Sequence, residues 1–122
     1  MRTIVVVNDM DCHQERVLVD VFGELIGVMG VSGPLQHVAE LVAAVKPNVV
    51  LVNAPCGDAD WTGMEVLGLM SSADTEVIAV AVSAKQRSKL SVYGFKQIVM
   101  CEIALLHVIR LMDAQLSAAV QP

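Results

Sequence analysis

Polar side chains that can take part in chemistry follow the apolar runs of this sequence. These residues are Asn8 and Asp9 after Thr3–Val7, Asn53 after Val49–Val52, and Ser83 after Val77–Val82. Uncharged, β-branched runs of this length predict strands of a parallel sheet that are buried on both faces. Ligand sites of open α/β sheets lie at the carboxyl ends of their strands. We therefore expect these polar residues to face the functional site, with Asn53 at its centre.

Three cysteines also follow predicted strands on the same side of the sheet, namely Cys12, Cys56 and Cys101, with Asp9 and His13 close by in sequence. Thiolates and imidazoles bind soft metals, so a thiol-based metal or redox site is one interpretation. The other is that each cysteine is a small apolar residue. Without paired spacing, the cysteines argue against a disulfide framework and for a reducing compartment, and the cytoplasm is the expected location.

Composition limits the classes of function. The chain has 122 residues, of which 55% are hydrophobic and 3% aromatic, with a formal net charge of −5. Residues 1–122 predict a single domain, which could be the N-terminal part of a longer protein. The acidic balance and the lack of a basic run argue against direct nucleic-acid binding. No apolar run is long enough for a membrane span, and the first strand begins too early for a signal peptide.

Strands and helices alternate five times along the sequence. This order predicts a flavodoxin-like (CheY-like) α/β three-layer sandwich with a five-stranded parallel sheet in the order 2-1-3-4-5. Asp9 or Asp11 is expected to cap the first helix, which should end near Gly27, and Pro34 should be the first residue of the second helix. The third helix should run from Gly63 through Met70. The fourth, within Lys85–Tyr93, should span two turns at most or be missing.

Four stretches in this order resemble the receiver domain of bacterial response regulators. They are Lys46–Asn53 followed by Gly63–Leu67, Ile4–Asp9, Val82–Ala84, and Gly94–Val99. The resemblance covers essentially the whole chain. It implies a role in bacterial signal transduction and transcriptional regulation, with other signalling proteins or an output domain as partners.

The resemblance also implies a role for each site position. The family's acidic pair falls on Asn8 and Asp9, its phosphoacceptor aspartate on Asn53, its switch hydroxyl on Ser83 and its lysine on Cys101. Phosphoryl transfer needs a carboxylate nucleophile, a divalent cation and a cationic side chain. Asp9 alone would be a weak Mg²⁺ ligand, and no cofactor is expected. We therefore interpret the chain as a non-enzymatic pseudo-receiver.

Two other interpretations remain open. One is an active receiver that is phosphorylated at a substitute residue, Asp58 or Asp60. The other rests on Asp11-Cys12-His13, which resembles the Asp-x-His stretch of cobalamin-binding domains, although Arg16 stands where that family has glycine.

The final helix, expected from Glu102 to about Val120, carries apolar residues around most of its circumference. A helix that covers one sheet face needs an apolar stripe only about 100° wide, so the excess implies burial against something else, such as a second copy or a following domain. We predict a homodimer through this helix. The interface residues expected are Ile103, Leu106, Ile109, Arg110 and Met112. Trp61 is either a further interface anchor or a lid that folds back over the site.

Overall fold

Five strands and five helices alternate along the chain in a computed structural model that describes residues 2–56 and 60–120. The strands are β1 (Arg2–Val7), β2 (Ile26–Val31), β3 (Val49–Asn53), β4 (Glu76–Ala81) and β5 (Gln97–Met100). The helices are α1 (His13–Phe22), α2 (Leu35–Val45), α3 (Met64–Gly68), α4 (Ala84–Val92) and α5 (Cys101–Val120). Short 3₁₀ turns at Met10–Cys12 and Gly23–Leu25 flank α1.

All five strands are parallel, in the order β2-β1-β3-β4-β5, which confirms the predicted topology. Val7 pairs with Val52, and Asn53 pairs with Val80, so β1, β3 and β4 end side by side. The order of the strands changes direction between β1 and β3, so the topological switch point lies between these two strands. The loops that follow β1 and β3 border the crevice where such folds bind ligands. The register therefore places Asn53 at the expected edge.

The central strands bury both of their faces, which explains their continuous apolar sequence. Val5, Val7, Val50 and Val52 pack in one cluster with residues of α2, α3 and α4. Ile4, Val6, Val49 and Leu51 pack in a second cluster with residues of α1 and α5. The sheet therefore lies between two helical layers, and the predicted three-layer sandwich is confirmed.

The ends of α1 and α2 differ from the prediction. Helix α1 ends at Phe22, because Gly23 takes φ +57° and turns the chain, whereas Gly27 lies inside β2. Helix α2 begins at Leu35, and Pro34 is its N-cap with an extended ψ of 130° rather than its first helical residue. Proline fixes only φ, so it fits the cap as readily as the first turn.

The extents of the two helices after β3 also differ from the prediction. Helix α3 has only five residues and does not continue to Met70. Helix α4 is short but present, with nine residues, so the alternative of a missing helix is wrong. Its N-terminus is stabilised by Ser83, whose hydroxyl accepts the backbone N–H of Gln86.

Helix α5 begins at Cys101, one residue earlier than expected, and extends to Val120. Its sheet-facing side is formed by Ala104, Val108 and Met112, which are fully buried. Met112 was predicted to lie in an exposed interface, and this is wrong because its position on the helix turns it toward the sheet. Ile103 and Leu106 remain 53% and 48% exposed.

Within the described ranges, no helix has both the length and the apolarity required to cross a lipid bilayer.

Gly63 lies just before α3 and close to the first residues of α2. Substitution of Gly63 tests this close approach. It has φ +96°, and a Cβ there would lie 2.8 Å from Cβ of Leu35. Gly33 has φ +121° but open space around it, so Gly33→Ala measures backbone strain alone. We expect Gly63→Ala to lower the free energy of unfolding by about 1–3 kcal/mol more than Gly33→Ala does. Urea unfolding measures both, and equal losses would contradict the contact.

Candidate functional site

The carboxyl ends of β1, β3 and β4 and the start of α5 enclose a depression of about 200 Å³. It contains four of the five site positions predicted from sequence: Asn8, Asp9, Asn53 and Cys101. Its other lining residues are Met10, His13, Gln14, Ala54, Cys56, Val80 and Val82. The predicted positions therefore converge, but the surroundings are largely apolar.

Asn53 at the centre of this depression is held by the side chain of Gln14. Nδ2 of Asn53 donates to Oε1 of Gln14 at 2.7 Å, and Nε2 of Gln14 donates back to Oδ1 of Asn53 at 2.9 Å. Nδ2 also donates to the carbonyl oxygen of Val7 at 2.9 Å. Both donor hydrogens of the Asn53 amide and its oxygen are therefore engaged. The two amides form a closed, uncharged ring that joins α1 to β3.

Gln14 was not identified from the sequence, where it appeared as one of several polar residues of the first helix. It reaches Asn53 because Asp11 and Cys12 adopt left-handed backbone conformations, with φ of 59° and 54°. This turn starts α1 close to the end of β3. The sequence showed a polar residue in the first turn of α1. Its pairing with Asn53 depends on the left-handed turn at Asp11 and Cys12, which the sequence did not indicate.

Asp9 stabilises the N-terminus of α1, in agreement with the prediction that Asp9 or Asp11 caps this helix. Its Oδ1 accepts the backbone N–H of Gln14 at 3.1 Å, and its Oδ2 accepts that of Glu15 at 2.9 Å. A carboxylate is favourable at this position, where several N–H groups lack intrahelical partners and the helix dipole is positive. Asp11 makes a different contact, in which its backbone carbonyl oxygen accepts a hydrogen bond from the side chain of Arg16 at 2.8 Å.

The donor groups around Asn53 fit Mg²⁺ poorly. This cation requires near-octahedral oxygen ligands, usually with one or two carboxylates. Here both oxygens of Asp9 accept backbone N–H groups, and Oδ1 of Asn53 accepts from Gln14. Over residues 2–56 and 60–120, no group of three or more His, Cys, Asp or Glu side chains is arranged to hold a metal.

Ser83 lies beyond β4 and caps α4 instead of facing Asn53. Its hydroxyl accepts the N–H of Gln86 at 3.2 Å, while Oε1 of Gln86 accepts the N–H of Val82 at 2.9 Å. Nε2 of Gln86 also donates to the carbonyl of Pro55 at 3.4 Å. Ser83, which the resemblance placed at the switch position, is therefore part of a helix-capping arrangement that connects α4 to Pro55 after β3.

The three cysteines do not form one cluster. All are free and exposed, but only Cys56 and Cys101 line the depression that contains Asn53. Cys12 lines a separate cavity beside β2, because the turn before α1 directs it away. The pKa of the Cys101 thiol is raised, first by desolvation and then by the hydrogen bond and negative charge of Glu102. A thiol is neutral or anionic, so Cys101 supplies no cation, and its raised pKa makes it a poor source of thiolate at neutral pH.

Trp61 is 6% exposed, so its interpretation as an interface anchor is wrong. Its ring lies 5.3 Å from that of Tyr93, and Nζ of Lys89 lies 4.1 Å from the ring centroid. Burial against α4, together with a cation–π contact, holds the tryptophan inside the domain. Trp61 therefore packs against the domain.

Asp58 and Asp60, the two candidates for a substitute phosphorylation site, follow β3 in the sequence. Asp58 is outside the described residues. Asp60 is exposed, and its carboxylate accepts the side-chain hydroxyl of Thr62 at 2.6 Å and the backbone N–H of Thr62 at 2.9 Å. These two hydrogen bonds lower the pKa of Asp60. Asp60 lines a different cavity, of about 500 Å³, with Asn8, Pro34 and Cys56.

Solved structures with the same architecture include receiver domains of response regulators. The receiver domain of a DNA-binding response regulator from Colwellia psychrerythraea aligns with a TM-score of 0.65 at 17% identity, over 93% of this chain and 99% of that chain. A LuxR-family response regulator from Staphylococcus aureus aligns with a TM-score of 0.65 at 17% identity, over 93% and 98% of the two chains. This chain has the receiver-domain fold.

A third structure extends the likeness over the whole chain. The response regulator domain of Thermotoga maritima CheB aligns with a TM-score of 0.60 at 19% identity, over 100% of this chain and 99% of that chain. No protein-family model matches the sequence, and no curated protein matches it either. At these identities the likeness establishes a receiver-domain fold and not a shared activity.

The amide ring predicts energetic coupling between Gln14 and Asn53. We expect a double-mutant cycle of Gln14→Ala and Asn53→Ala to give a coupling free energy of about 1–2 kcal/mol, because two hydrogen bonds are shared. Urea unfolding of the four proteins measures it. Gln36→Ala, an exposed glutamine of α2, is the matched control and should add to Asn53→Ala without coupling. Additivity of the Gln14 pair would contradict the ring.

Proposed function

We propose that this protein is a pseudo-receiver: a non-enzymatic module of signal transduction that acts through protein–protein contacts and is not phosphorylated at position 53. The observation that carries the proposal is the engagement of the Asn53 amide by Gln14 and by the carbonyl of Val7. A phosphoacceptor must present a free, negatively charged oxygen to the phosphoryl donor. Asn53 has a neutral oxygen that already accepts a hydrogen bond.

The remaining positions of the site support the same conclusion. Asp9, which would hold the divalent cation, uses both oxygens to cap α1. Ser83 caps α4, and Cys101 has a neutral thiol where transfer to an aspartate requires a cation. Each of these groups therefore has a structural role or lacks the charge that phosphoryl transfer demands.

Phosphorylation by small donors tests this proposal directly. We expect incubation with acetyl phosphate and Mg²⁺ to leave the intact mass unchanged, and beryllofluoride to leave the fluorescence of Trp61 unchanged. Asn53→Asp alone should also remain unmodified, because Cys101 still supplies no cation and Asp9 still caps α1. A receiver domain with an intact acidic site serves as the positive control.

One result of that experiment would overturn the proposal. A gain of one phosphoryl group by the unmodified protein would favour the rival interpretation, an active receiver with a substitute acceptor. Loss of that gain in Asp60→Asn or in Asp58→Asn would then identify the acceptor. Phosphorylation of the Asn53→Asp variant alone would contradict the roles given to Cys101 and Asp9, and would show that the amide of Asn53 by itself prevents phosphoryl transfer.

The outward side of α5 is the proposed homodimer surface. Ile103 and Leu106 are about half exposed, Ile109 is partly buried beside them, and Arg110 is exposed on the next turn. Apolar side chains at this spacing form a stripe that a second copy would cover, removing their area from water. With Met112 and Trp61 buried, the proposed surface is smaller than the sequence indicated.

Light scattering measures this association. We expect a mass near twice the 13.0 kDa of the monomer at micromolar concentration, and a monomer for Leu106→Glu, because the new carboxylate would be buried in the interface. Leu69→Glu, at a leucine that is 78% exposed and lies outside α5, is the matched control and should remain dimeric. A monomeric wild-type protein would contradict the interface.

A further inference from the structure

Strand β2 lies at one edge of the sheet, where no second strand of the described residues pairs with its outer side. The carbonyl oxygen of Val31 accepts the backbone N–H of Asn8 at 3.0 Å, so the backbone groups of Val31 point toward β1. Backbone groups alternate in direction along a strand that pairs on one side. The N–H and C=O groups of Ile26, Val28 and Gly30 therefore point away from the sheet.

The free edge of β2 lacks the features that keep sheet edges from pairing with other chains. Natural edge strands are often very short, or they carry lysine, proline or other charged residues. Strand β5, at the opposite edge, has only four residues and directly follows Lys96. Strand β2 has six residues without charge or proline, and no Asp, Glu, Lys or Arg occurs between Glu24 and Glu40. The edge of β2 is therefore able to accept another strand.

We propose that β2 pairs with β2 of a second copy of this chain, antiparallel and across a two-fold axis that passes beside Val28. Val28 then lies opposite Val28 of the second copy, and Ile26 lies opposite Gly30. This register is the only one in which all three outward-pointing residues of one copy meet those of the other. Each such pair exchanges two N–H···O bonds in an antiparallel ladder. The two five-stranded sheets become one continuous sheet.

The side chains of β2 fit a second copy of the same strand. In this register Met29, which is 38% exposed, lies opposite Gly27 of the second copy, whose missing side chain leaves room for it. On the other face Ile26 is 3% exposed. The carboxylate of Glu15 lies over Gly30 on that face, since a Cβ added at Gly30 would be 2.5 Å from Oε2 of Glu15. The large side chains of one strand therefore lie opposite glycines of the other, and neither face is overcrowded.

Charge also favours this edge as the contact between copies. Each copy has a formal net charge of −5, so two copies repel each other over most of their surfaces. The pairing places no charged residue of β2 opposite another. Gly30 and the Gly30 of the second copy are four residues apart along the ladder, about 14 Å. The Glu15 carboxylates above them are therefore separated by more than a Debye length at physiological ionic strength, and their repulsion is weak.

The size of the contact predicts weak association. Stable interfaces contain about 20–30 residues on each side, whereas β2 contributes six. We expect a dissociation constant on the order of 0.1–1 mM, far above the micromolar range in which the α5 contact is measured. The inference goes beyond the proposed function and depends neither on position 53 nor on α5. Copies joined through both β2 and α5 would form assemblies larger than a dimer.

Sedimentation equilibrium of the Leu106→Glu variant tests the proposal, because this variant lacks the α5 contact. We expect a monomer at micromolar concentration and a dimer near about 1 mM, where the wild-type protein should exceed the mass of a dimer. Adding Met29→Lys should weaken the association about tenfold, because two ammonium groups would lie close together at the paired edges. Leu69→Lys adds the same charge at a leucine that is 78% exposed and lies outside β2. It is the matched control, with unchanged association expected.

Hydrogen exchange measured by NMR identifies the surface that associates. The amides of Val28 and Gly30 should exchange more slowly as the concentration of the Leu106→Glu variant rises, because their N–H groups become bonded to the second copy. The amides of β5, at the opposite edge of the sheet, should not change. A wild-type protein that is monomeric at micromolar concentration would contradict the α5 contact and leave this measurement unaffected.

Three outcomes would refute the pairing of β2 with a second copy. They are a monomer near about 1 mM, unchanged association after Met29→Lys, and association that leaves the amides of Val28 and Gly30 unprotected. The last would place the contact on another surface. Protection of these amides by an added Thr-Val repeat peptide, in a protein that stays monomeric, would place the strand of a different partner at this edge instead.

Discussion

The pairing of the Asn53 and Gln14 amides is the interaction on which the carboxyl edge of the sheet depends. A cluster of carboxylates here would need a cation to hold its like charges together, whereas two amides form a ring without any charge. The ring forms only if α1 starts immediately beside β3. Two features satisfy that condition. One is the left-handed turn at Asp11 and Cys12, and the other is the pair of hydrogen bonds that Asp9 accepts from the backbone N–H groups of α1. The acid that remains in the site thereby supports the helix that carries Gln14.

The proposed interaction module would use the outer surfaces of the domain, because the centre of its site carries no charge. Strand β5 lies at the edge of the sheet, with α4 packed on one side and α5 on the other. The apolar stripe on α5, which is the proposed homodimer surface, therefore lies beside this strand.

Much of the fold could be predicted from local patterns. Uninterrupted β-branched runs such as Val49–Val52 indicate strands buried on both faces, and their alternation with helices leaves few topologies for a parallel sheet. Proline and glycine indicated where helices begin and end. The predicted ends were wrong by a few residues at Gly23 and Pro34, because several neighbouring residues could have ended or begun the helix. Asp9 was correctly among the predicted caps, since capping depends on residues close in sequence.

The sequence by itself determined the strand order, the helical layers and the group of polar residues at the carboxyl edge. Only the tertiary structure decided what those residues do. Gln14 and Asn53 are 39 positions apart, and their contact depends on how a turn orients α1. The burial of Trp61 depends likewise on α4, and that of Met112 on the rotation of α5 against the sheet. Such contacts join residues far apart in the chain, so no local pattern specifies them.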